Sequence, residues 1–574
     1  MAYQYKWNYI SAKPEQVHTL QKDLGIHPLL CQLLVQRGIT TFSEAKDFFR
    51  PSLSHLHDPF LMQDMHLAIT RIEHAIKNGE RILIYGDYDV DGTTAVSLVS
   101  SFLQQHYSNI DTYIPDRYKE GYGVSTAGID YANDNDITLI IALDCGIKAI
   151  DKVAYAKTLG IDFIICDHHL PGDDIPAAIA VLDPKRKDCN YPYKELSGCG
   201  IGFKLVQALC EKWNLPNTAW EPLLDLTAVS IGADIVPITG ENRVLAFYGL
   251  QRINQRPRPG FKLLASLAGK QNKVMSITDV VFLIGPRINA AGRMAHGRHA
   301  VELLTSVDLP LLEKLSQEIN EMNSERKDLD SQITQDALTL IKDQQEEDNY
   351  TTVVFNEKWH KGVIGIVASR LIENYYRPTI VFTQSGDHLA GSARSVKGFD
   401  VYKALDACSD ILTQFGGHMY AAGMTLDKAK FPAFKERFEE VVQSTIPENC
   451  KQPVIEIDLV CTLDELDQKF YRILKQFAPY GPQNMPPNLA THHLIDTGFS
   501  KIVGQTQEHL RVVVKDPESG KAMNGIAFGL ADKLSLLQSG EPISLVYHLE
   551  ENVFNGETSL QMHIKDIRFT KDVA

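Results

Sequence analysis

Short apolar runs of strand length alternate with helical patterns through the first half of the chain. The runs lie at residues 81–86, 138–143, 161–166 and 178–182. Strands that alternate with helices along a sequence are typical of βαβ units. The pattern therefore predicts a parallel sheet covered by helices, in a domain that we place at residues 51–305.

A second α/β domain is predicted further along the chain. Apolar residues between 311 and 341 recur mostly at helical spacing among many charges, which indicates a long, partly exposed linker helix at residues 306–345. Strand-like runs at 350–355 and 379–383 then predict an α/β domain at residues 346–447. The linker helix would separate this domain from the first one.

The two ends of the chain have different patterns. Short β segments such as 509–514 and 543–548 are separated by turn signals, which fits a small barrel or sandwich at residues 453–574. Residues 1–50 read as a helical segment, and we expect its helices to pack against the first lobe. The predicted class is α/β, with two α/β domains, a long linker helix and a C-terminal β-barrel.

Length and cysteine usage narrow the class further. A chain of 574 residues is too long for a single hydrophobic core. Its start has no basic segment followed by an apolar run, and no apolar stretch has membrane-spanning length, so we expect a cytoplasmic protein. The nine cysteines form no Cys-x-x-Cys pair, so we expect them to be reduced rather than paired or bound to zinc.

The net charge of −15 argues against a protein that coats nucleic acid generally, because such binding relies on a basic surface. A local basic groove remains compatible with this charge. Carboxylates that bind metal also add negative charge at the place where a cation later neutralises it. The charge of the whole chain is therefore a weak guide to its ligand.

Three alternating aspartates follow the first apolar run, in the order Asp87-Tyr-Asp89-Val-Asp91-Gly92. Acids in this position lie at the carboxyl edge of the sheet, where open α/β folds bind ligands. The alternative is a calcium-binding EF-hand, whose first six positions match this motif. The twelfth position is Leu98 instead of glutamate, and the motif follows a strand instead of a helix, so both features disfavour calcium.

The other strand ends repeat this construction. Asp144 follows the second apolar run, an Asp-His-His triplet follows the third at 167–169, and an apolar run at 228–232, which we interpret as a strand, leads into Asp234. For a single aspartate a helix N-cap is the more common role. Acids clustered at one edge would repel one another unless cations held them. Their coincidence with histidines therefore predicts a metal site.

The ligand types indicate which metal would bind. Oxygen-rich ligation with one or two imidazoles and no thiolate suits manganese ahead of magnesium, whereas zinc more typically takes cysteine or more histidine. This many carboxylates implies two ions. Two ions can clamp the attacking and the leaving oxygen of a phosphoryl displacement and lower the pKa of a bridging water.

These motifs in combination resemble the DHH phosphoesterases, and most closely the RecJ-type exonucleases. The resemblance begins at about residue 50 and includes the glycine-rich segments 197–204 and 416–423. It implies that Asp144 bridges two ions and that His169 faces the phosphate or the leaving group, or else orients a ligand. The implied metal ligands are Asp87, Asp89, Asp91, Asp144, His168 and Asp234. All of them except Asp87, together with His169, would be catalytic.

The same resemblance implies a pocket for a terminal 5′ phosphate. Arginine side chains combined with hydroxyl or backbone donors suit a terminal phosphate. Arg394 with Ser392 resembles the terminal-phosphate pocket of these exonucleases. Surface ion pairing is the alternative role for any arginine. The other implied substrate-binding residues are Arg117, Arg287, Arg293, Gly416, Gly417 and His418. In the C-terminal barrel the candidates for binding a single strand are Phe477, Tyr480, Arg511 and Lys515. For the two aromatic residues, core packing is the alternative.

The function implied by this resemblance is that of a single-stranded-DNA-specific 5′→3′ exonuclease, which releases 5′-mononucleotides by two-metal-ion hydrolysis in DNA repair and recombination. Candidate partners are single-strand-binding protein and a helicase. One alternative is a phosphoesterase that acts on pyrophosphate, cyclic dinucleotides or short oligonucleotides, although such chains tend to lack the barrel. Another is an inactive scaffold, which would have lost acidic positions that are all present here.

Overall fold

The computed structural model describes residues 4–554 and 556–573 and divides the chain into two units. The first unit consists of Pro51–Leu329 and Ala478–Met485. The second consists of the N-terminal residues as far as Arg50, Asp330–Phe477 and the residues from Pro486 onward. Residues 1–3, 555 and 574 lie outside the described residues, and the predicted start of the N-terminal segment and end of the C-terminal domain fall on them.

A five-stranded parallel sheet forms the centre of the first unit, as the alternation of strands and helices predicts. Successive side chains of the strand Arg81–Gly86 enter opposite layers, because Ile82 and Ile84 join one core cluster while Leu83 and Tyr85 join the other. Each fully buried side chain of this size stabilises the fold by about 1.5–3 kcal/mol. The strands lie in the order Ile110–Tyr113, Arg81–Gly86, Ile137–Leu143, Asp162–Cys166 and Ala180–Leu182.

Helices account for most of the rest of the first unit. No helix in the described part of the chain is both long and apolar enough to cross a membrane. The principal helices are Met65–Lys77, Val90–Leu103, Thr126–Asp134, Ile150–Thr158, Gly198–Lys212, Leu224–Ala233, Gly240–Gln255, Pro259–Leu267, Gly285–Met294 and Arg298–Thr305.

The expectation of a strand at residues 228–232 is wrong. These residues belong to the helix Leu224–Ala233, and Asp234 is its C-cap residue. The described side chains from Leu224 to Gly232 are all buried, so the helix shows no polar face. A short apolar run of this kind gives no periodic signal that distinguishes a buried helix from a strand. Asp234 therefore reaches the sheet edge from a helix end.

The second unit contains the predicted second sheet. A single helix, Leu309–Asp343, confirms the predicted long helix, and its residues up to Leu329 belong to the first unit while those from Asp330 belong to the second. The sheet is antiparallel except between its last two strands, and its order is Gln414–His418, Ala421–Asp427, His388–Arg394, Thr379–Ser385 and Thr352–Phe355. The helices of this part are Ile364–Asn374, Val401–Asp406 and Phe431–Thr445.

The C-terminal part is β-rich, as predicted. An additional pairing joins Leu489–Asp496 to His509–Lys515, so strands that are distant in the sheet order meet at one end. Closure into a barrel stays a prediction. The sheet has the order Leu459–Val460, Leu489–Asp496, Ile543–Phe554, Glu557–Phe569, Ala522–Ala527, His509–Lys515 and Lys501–Val503.

The N-terminal segment forms part of the second unit instead of joining the first lobe. Its strand Lys6–Tyr9 pairs in parallel with Val454–Ile457. The rings of Phe48 and Phe49 meet the fully buried ring of Phe477 edge to face, at 5.3 and 5.4 Å between centroids. Phe477 is therefore a core residue and not a stacking surface. The helices of the segment are Pro14–Leu24, Pro28–Gln36 and Phe42–Phe49.

Candidate active site

The carboxyl ends of three neighbouring strands bring acidic and imidazole groups together. Asp87 follows Arg81–Gly86, Asp144 follows Ile137–Leu143, and Asp167 with His168 follows the next strand. All four side chains are buried. Since parallel strands end at the same sheet edge, the sequence order alone places these groups side by side.

His168 lies at the centre of this group. Its Nε2 is 3.2 Å from Asp144 Oδ1, 3.6 Å from Asp234 Oδ2 and 3.8 Å from Asp91 Oδ2. Among the described residues no hydrogen bond reaches either ring nitrogen, or Asp144 Oδ1, although these atoms are buried. Burial lowers the pKa of His168, so the ring is neutral and presents a lone pair. A lone pair and three carboxyl groups that converge within 3.8 Å of one ring nitrogen fit a divalent cation.

The electrostatics of the acids support the same assignment. Burial, and then repulsion by neighbouring carboxylates, raises the pKa of Asp87, Asp89, Asp144 and Asp234 above the ordinary range. Such a cluster is unfavourable on its own, because each ionised group opposes the ionisation of the next. A divalent ion reverses this effect and holds the acids in their charged form.

Two of the acids lie at the start of the helix Val90–Leu103. Asp89 is its N-cap residue, and its Oδ1 accepts a hydrogen bond of 3.0 Å from the amide of Gly92. The structural role that a lone aspartate usually has is thus present here. This capping bond uses one lone pair of Asp89 Oδ1, so the Asp89 carboxylate keeps acceptor sites for a metal.

Gly198, the first residue of the helix Gly198–Lys212, permits the close packing of this centre. A Cβ at this position would lie 2.5 Å from Asp144 Oδ1, which is closer than any side chain tolerates. The amide of Gly198 donates to Asp91 Oδ2 at 2.7 Å. The glycine-rich motif therefore brings a helix N-terminus against two of the acids, where its partial positive charge is favourable.

His169 is oriented from both sides. Its Nδ1 lies 2.7 Å from Asp167 Oδ1, and its Nε2 lies 3.0 Å from the Tyr122 hydroxyl. Burial alone would raise the pKa of Asp167, but the hydrogen bond and charge of His169, together with backbone donors, lower it to about 2. The sequence analysis placed Asp167 in the Asp-His-His triplet without giving it a role, and it did not single out Tyr122. The contact between Tyr122 and His169 could not be predicted from the sequence, because the two residues lie 47 positions apart.

The predicted arginines of the first unit have different surroundings. The guanidinium of Arg117 lies over the ring of Tyr88, 4.9 Å from its centroid. Arg287 is buried, and it donates to Asn320 Oδ1 at 3.1 Å and to the Leu283 carbonyl at 2.7 Å. The backbone carbonyl of Arg293 accepts a hydrogen bond from the Tyr118 hydroxyl. Arg117 is thus partly exposed beside the metal centre, whereas Arg287 is already engaged within the fold.

The predicted phosphate-binding residues of the second unit share one region of its sheet. Arg394 Nη1 donates to Ser392 Oγ at 3.2 Å, and in register across the strands Arg394 pairs with Ala421, which pairs with His418. A Cβ on Gly365, in the first turn of Ile364–Asn374, would lie 2.9 Å from both Arg394 Nη2 and Ser392 Oγ. The region thus combines a guanidinium, a hydroxyl and a helix N-terminus, the donors that bind phosphate.

The glycines of this region lie at its exposed edge strand. Gly416 and Gly417 are exposed, and Gly416 has open space where a Cβ would stand. Gly417 has a φ of +148°, and a Cβ there would lie 2.4 Å from the Ala421 carbonyl. Gly417 is therefore required by the backbone, whereas Gly416 leaves room for a ligand to approach the main chain.

The C-terminal sheet presents an aromatic face that sequence reasoning missed. Phe528 is 55% exposed, and its ring lies 5.1 Å from that of His509 and 5.3 Å from that of His563. The two histidines lie on different strands, so no local pattern reveals the group. Arg511 and Lys515 are exposed on the strand that begins with His509. Tyr480 lies in the segment 478–485 of the first unit.

Comparison with known proteins places these features in one family. The family model of the DHH family, N-terminal domain, matches residues 81–231. The DHHA1 domain matches residues 347–444, and the RecJ OB domain matches residues 457–566. The single-stranded-DNA-specific exonuclease RecJ of Bacillus subtilis is 37% identical over 568 residues, which are 99% of this chain and 71% of the relative. The chain belongs to the RecJ family.

Two solved RecJ structures bear on the metal. RecJ of Thermus thermophilus in complex with Mn²⁺ is 27% identical, with a TM-score of 0.82 over 98% of this chain and 79% of that one. The same protein in complex with Mg²⁺ is 25% identical, with a TM-score of 0.77 over 98% and 78%. As a RecJ-family member with such a donor set, the chain is a metal-dependent nuclease that uses Mn²⁺ or Mg²⁺.

Proposed function

We propose that this RecJ-family chain is a single-stranded-DNA-specific exonuclease that begins at a 5′ end and releases 5′-mononucleotides. The observation that carries the proposal is the convergence of Asp91, Asp144 and Asp234 on His168 Nε2 within 3.2–3.8 Å. Relatives that align with 99% and 94% of this chain are single-stranded-DNA-specific exonucleases by name.

The predicted ligands would hold two ions, with Asp144 between them. When bound, the two ions stabilise the negative charge on the attacked phosphodiester and lower the pKa of a water molecule. The chain's own residues orient the reactants. His169, fixed through Nδ1 by Asp167 and bonded at Nε2 to the Tyr122 hydroxyl, would face the scissile phosphate or the leaving 3′ oxygen. The ligand set is Asp87, Asp89, Asp91, Asp144, His168 and Asp234.

A direct assay tests this function. The protein is incubated with Mn²⁺ and a long single strand that is phosphorylated at its 5′ end and labelled at its 3′ end, and the products are sized. We expect the label to remain on progressively shorter strands while 5′-mononucleotides accumulate. Cleavage of short oligonucleotides or cyclic dinucleotides alone would favour the alternative phosphodiesterase, and degradation of a duplex at the same rate would contradict strand specificity.

Recognition of the 5′ end is assigned to Arg394 and Ser392, with the main chain of Gly416 and Gly417 and the ring of His418 beside them. Of the first-unit candidates, Arg117 and Arg293 would contact the strand directly. Arg287 would act from within the fold, because two of its donors already bond Asn320 and Leu283. These roles rest on the clustering of phosphate donors in the second unit.

Replacing Arg394 with alanine is expected to raise KM about 10- to 100-fold for a 5′-phosphorylated strand, because a charge-assisted hydrogen bond contributes about 1.5–3 kcal/mol. The KM for a strand with a 5′ hydroxyl should change little. Steady-state kinetics on the two substrates check this result, with the exposed Arg437→Ala as the matched control in the same domain. An equal loss on both substrates would refute a role at the terminal phosphate.

Replacing Phe528 with alanine is expected to weaken binding of a long single strand about tenfold, since stacking of one base on an aromatic ring contributes about 1–3 kcal/mol. Phe528→Trp keeps an aromatic face and should retain the affinity. Fluorescence anisotropy with a labelled strand in Ca²⁺ or EDTA, where turnover is suppressed, measures both variants. Equal affinity of the alanine and tryptophan variants would show that the exposed ring does not contact DNA.

The wider role follows from the substrate. We propose that the enzyme works in the cytoplasm, in DNA repair and recombination, on strands that a helicase has separated and that single-strand-binding protein covers. Support comes from the similarity to bacterial RecJ proteins over nearly the whole chain and from the match of residues 457–566 to the RecJ OB domain. A pull-down with purified candidate partners, at a salt concentration that abolishes bridging by DNA, tests each contact.

A further inference from the structure

The carboxylate of Asp91 is fixed by three donors within the first unit. Its Oδ2 accepts from the Gly198 amide, and its Oδ1 accepts from the Cys199 amide and from Ser230 Oγ, all at 2.7 Å. Asp91 and Ser230 are buried. A buried carboxylate with this many short bonds has one orientation, because any rotation of the group would break two of them.

The hydrogens in this network can be assigned from chemistry alone. Ser230 Oγ lies 2.7 Å from Asp91 Oδ1 and 2.6 Å from Ser197 Oγ, and a hydroxyl has only one hydrogen. An ionised carboxylate only accepts, so the hydrogen of Ser230 points to Asp91. Ser197 must then donate its own hydrogen to Ser230, and its oxygen accepts from the Gly200 amide at 3.1 Å.

The result is an ordered chain of donors that runs from the first turn of one helix to the metal centre. It passes from the Gly200 amide through the hydroxyls of Ser197 and Ser230 to Asp91. Donors linked in series polarise one another, so each bond in the chain is strengthened by the bond before it. Removing the last member breaks the contact with Asp91, whereas removing an earlier member only weakens it.

Ser230 also connects two candidate ligands through one helix. Ser230 lies in the helix Leu224–Ala233, one turn before Asp234, which is the C-cap residue of that helix. The Asp234 amide donates to the Ser230 carbonyl at 2.9 Å. The side chains of Ser197 and Ser230 are fully buried, so neither can touch DNA. Their hydroxyls act only on their protein neighbours.

We propose that Ser230 and Ser197 are positioning residues that orient Asp91 for the divalent metal, with Ser230 in direct contact and Ser197 acting through it. This inference rests on the proposed role of Asp91 as a metal ligand. Partners that orient ligands typically change metal affinity by about 10- to 100-fold when they are removed. The effect of Ser230 belongs in that range, and that of Ser197 is smaller because it is indirect.

The test is a double-mutant cycle on Mn²⁺ binding to the metal-free full chain, measured from the electron paramagnetic resonance signal of free Mn²⁺. We expect Ser230→Ala to weaken binding about tenfold or more and Ser197→Ala to weaken it less. The double variant should bind Mn²⁺ no more weakly than Ser230→Ala, because among the described residues the hydroxyl of Ser197 is linked to the Asp91 carboxylate through Ser230 Oγ. Additive losses would overturn the ordered chain.

Two further variants separate the possible failures. Ser100→Ala removes a buried hydroxyl from the helix that carries Asp91, and it should leave Mn²⁺ affinity unchanged. Asp91→Asn should abolish tight binding. If Asp91→Asn binds Mn²⁺ normally, the proposed metal site is refuted. If Asp91→Asn loses Mn²⁺ binding while Ser230→Ala binds Mn²⁺ normally, only the positioning role is refuted. A fall in the unfolding temperature of Ser230→Ala without a loss of affinity would likewise overturn the proposal.

Discussion

Asp144→Asn is expected to lower kcat on a 5′-phosphorylated single strand by about a thousandfold or more, which corresponds to at least about 4 kcal/mol of barrier. Among the described residues Asp144 is the acid nearest His168 Nε2, and as a proposed metal ligand it would supply charge that helps to hold the ions. The loss should persist at high Mn²⁺ concentration, since the missing charge cannot be replaced by more metal. Product release from a labelled strand measures the rate.

The same substitution should raise the thermal stability of the metal-free protein. Burial and neighbouring carboxylates raise the pKa of Asp144, and a carboxyl whose pKa rises on folding destabilises the folded state above its unfolded pKa of about 4. The new amide can also donate to His168 Nε2, which has no hydrogen-bond partner among the described residues. Calorimetry in EDTA measures the shift.

Asp151→Asn, an exposed acid in the first turn of Ile150–Thr158, is the control for Asp144→Asn. It should change neither turnover nor stability by more than a small amount. Activity of Asp144→Asn within tenfold of the parent would exclude the metal role. A lower unfolding temperature in EDTA would show that the carboxylate has a structural function that the contacts in the apoprotein do not reveal.

Much of the metal centre could be predicted from sequence because its residues follow strands. Asp87 and Asp144 come directly after a buried strand, and His168 follows the next strand with Asp167 between them. Parallel strands align their carboxyl ends, so no knowledge of contacts is needed to bring these residues together. The sequence analysis placed Asp234 in the same group after a strand, and that strand is wrong because the residues before Asp234 form a helix. The resemblance to the DHH phosphoesterases, and not the assumed strand, supports the placement of Asp234 beside His168.

Other features depend on contacts between residues that are far apart in sequence. Ser230 contacts Asp91 across 139 positions, and Phe528 is flanked by histidines from two different strands. Neither pairing leaves a periodic signal. Sequence alone left Phe477 open between strand binding and core packing for the same reason, because the rings that bury it belong to the N-terminal helix Phe42–Phe49. Composition identifies an aromatic residue but not what covers it.

Lys204, the last residue of the glycine-rich motif, shows that this segment also has a structural function. Its ammonium is fully buried and lies 2.6 Å from Glu241 Oε1, and it donates to the His57 carbonyl at 2.9 Å. Glu241 in turn accepts from the Tyr191 hydroxyl at 2.7 Å. Burial lowers the pKa of Lys204, and the attraction of Glu241 opposes this effect.

Lys204→Met is therefore expected to destabilise the first unit by about 3–5 kcal/mol, because it leaves the Glu241 carboxylate buried without its counter-charge. For a unit of this size the unfolding temperature should fall by roughly 10 °C. The double variant Lys204→Met/Glu241→Leu removes both charges and should recover most of the loss. Lys212→Met, exposed in the last turn of the same helix, is the matched control. If the double variant were no more stable than Lys204→Met, the loss would come from packing and the unpaired carboxylate would not be its cause.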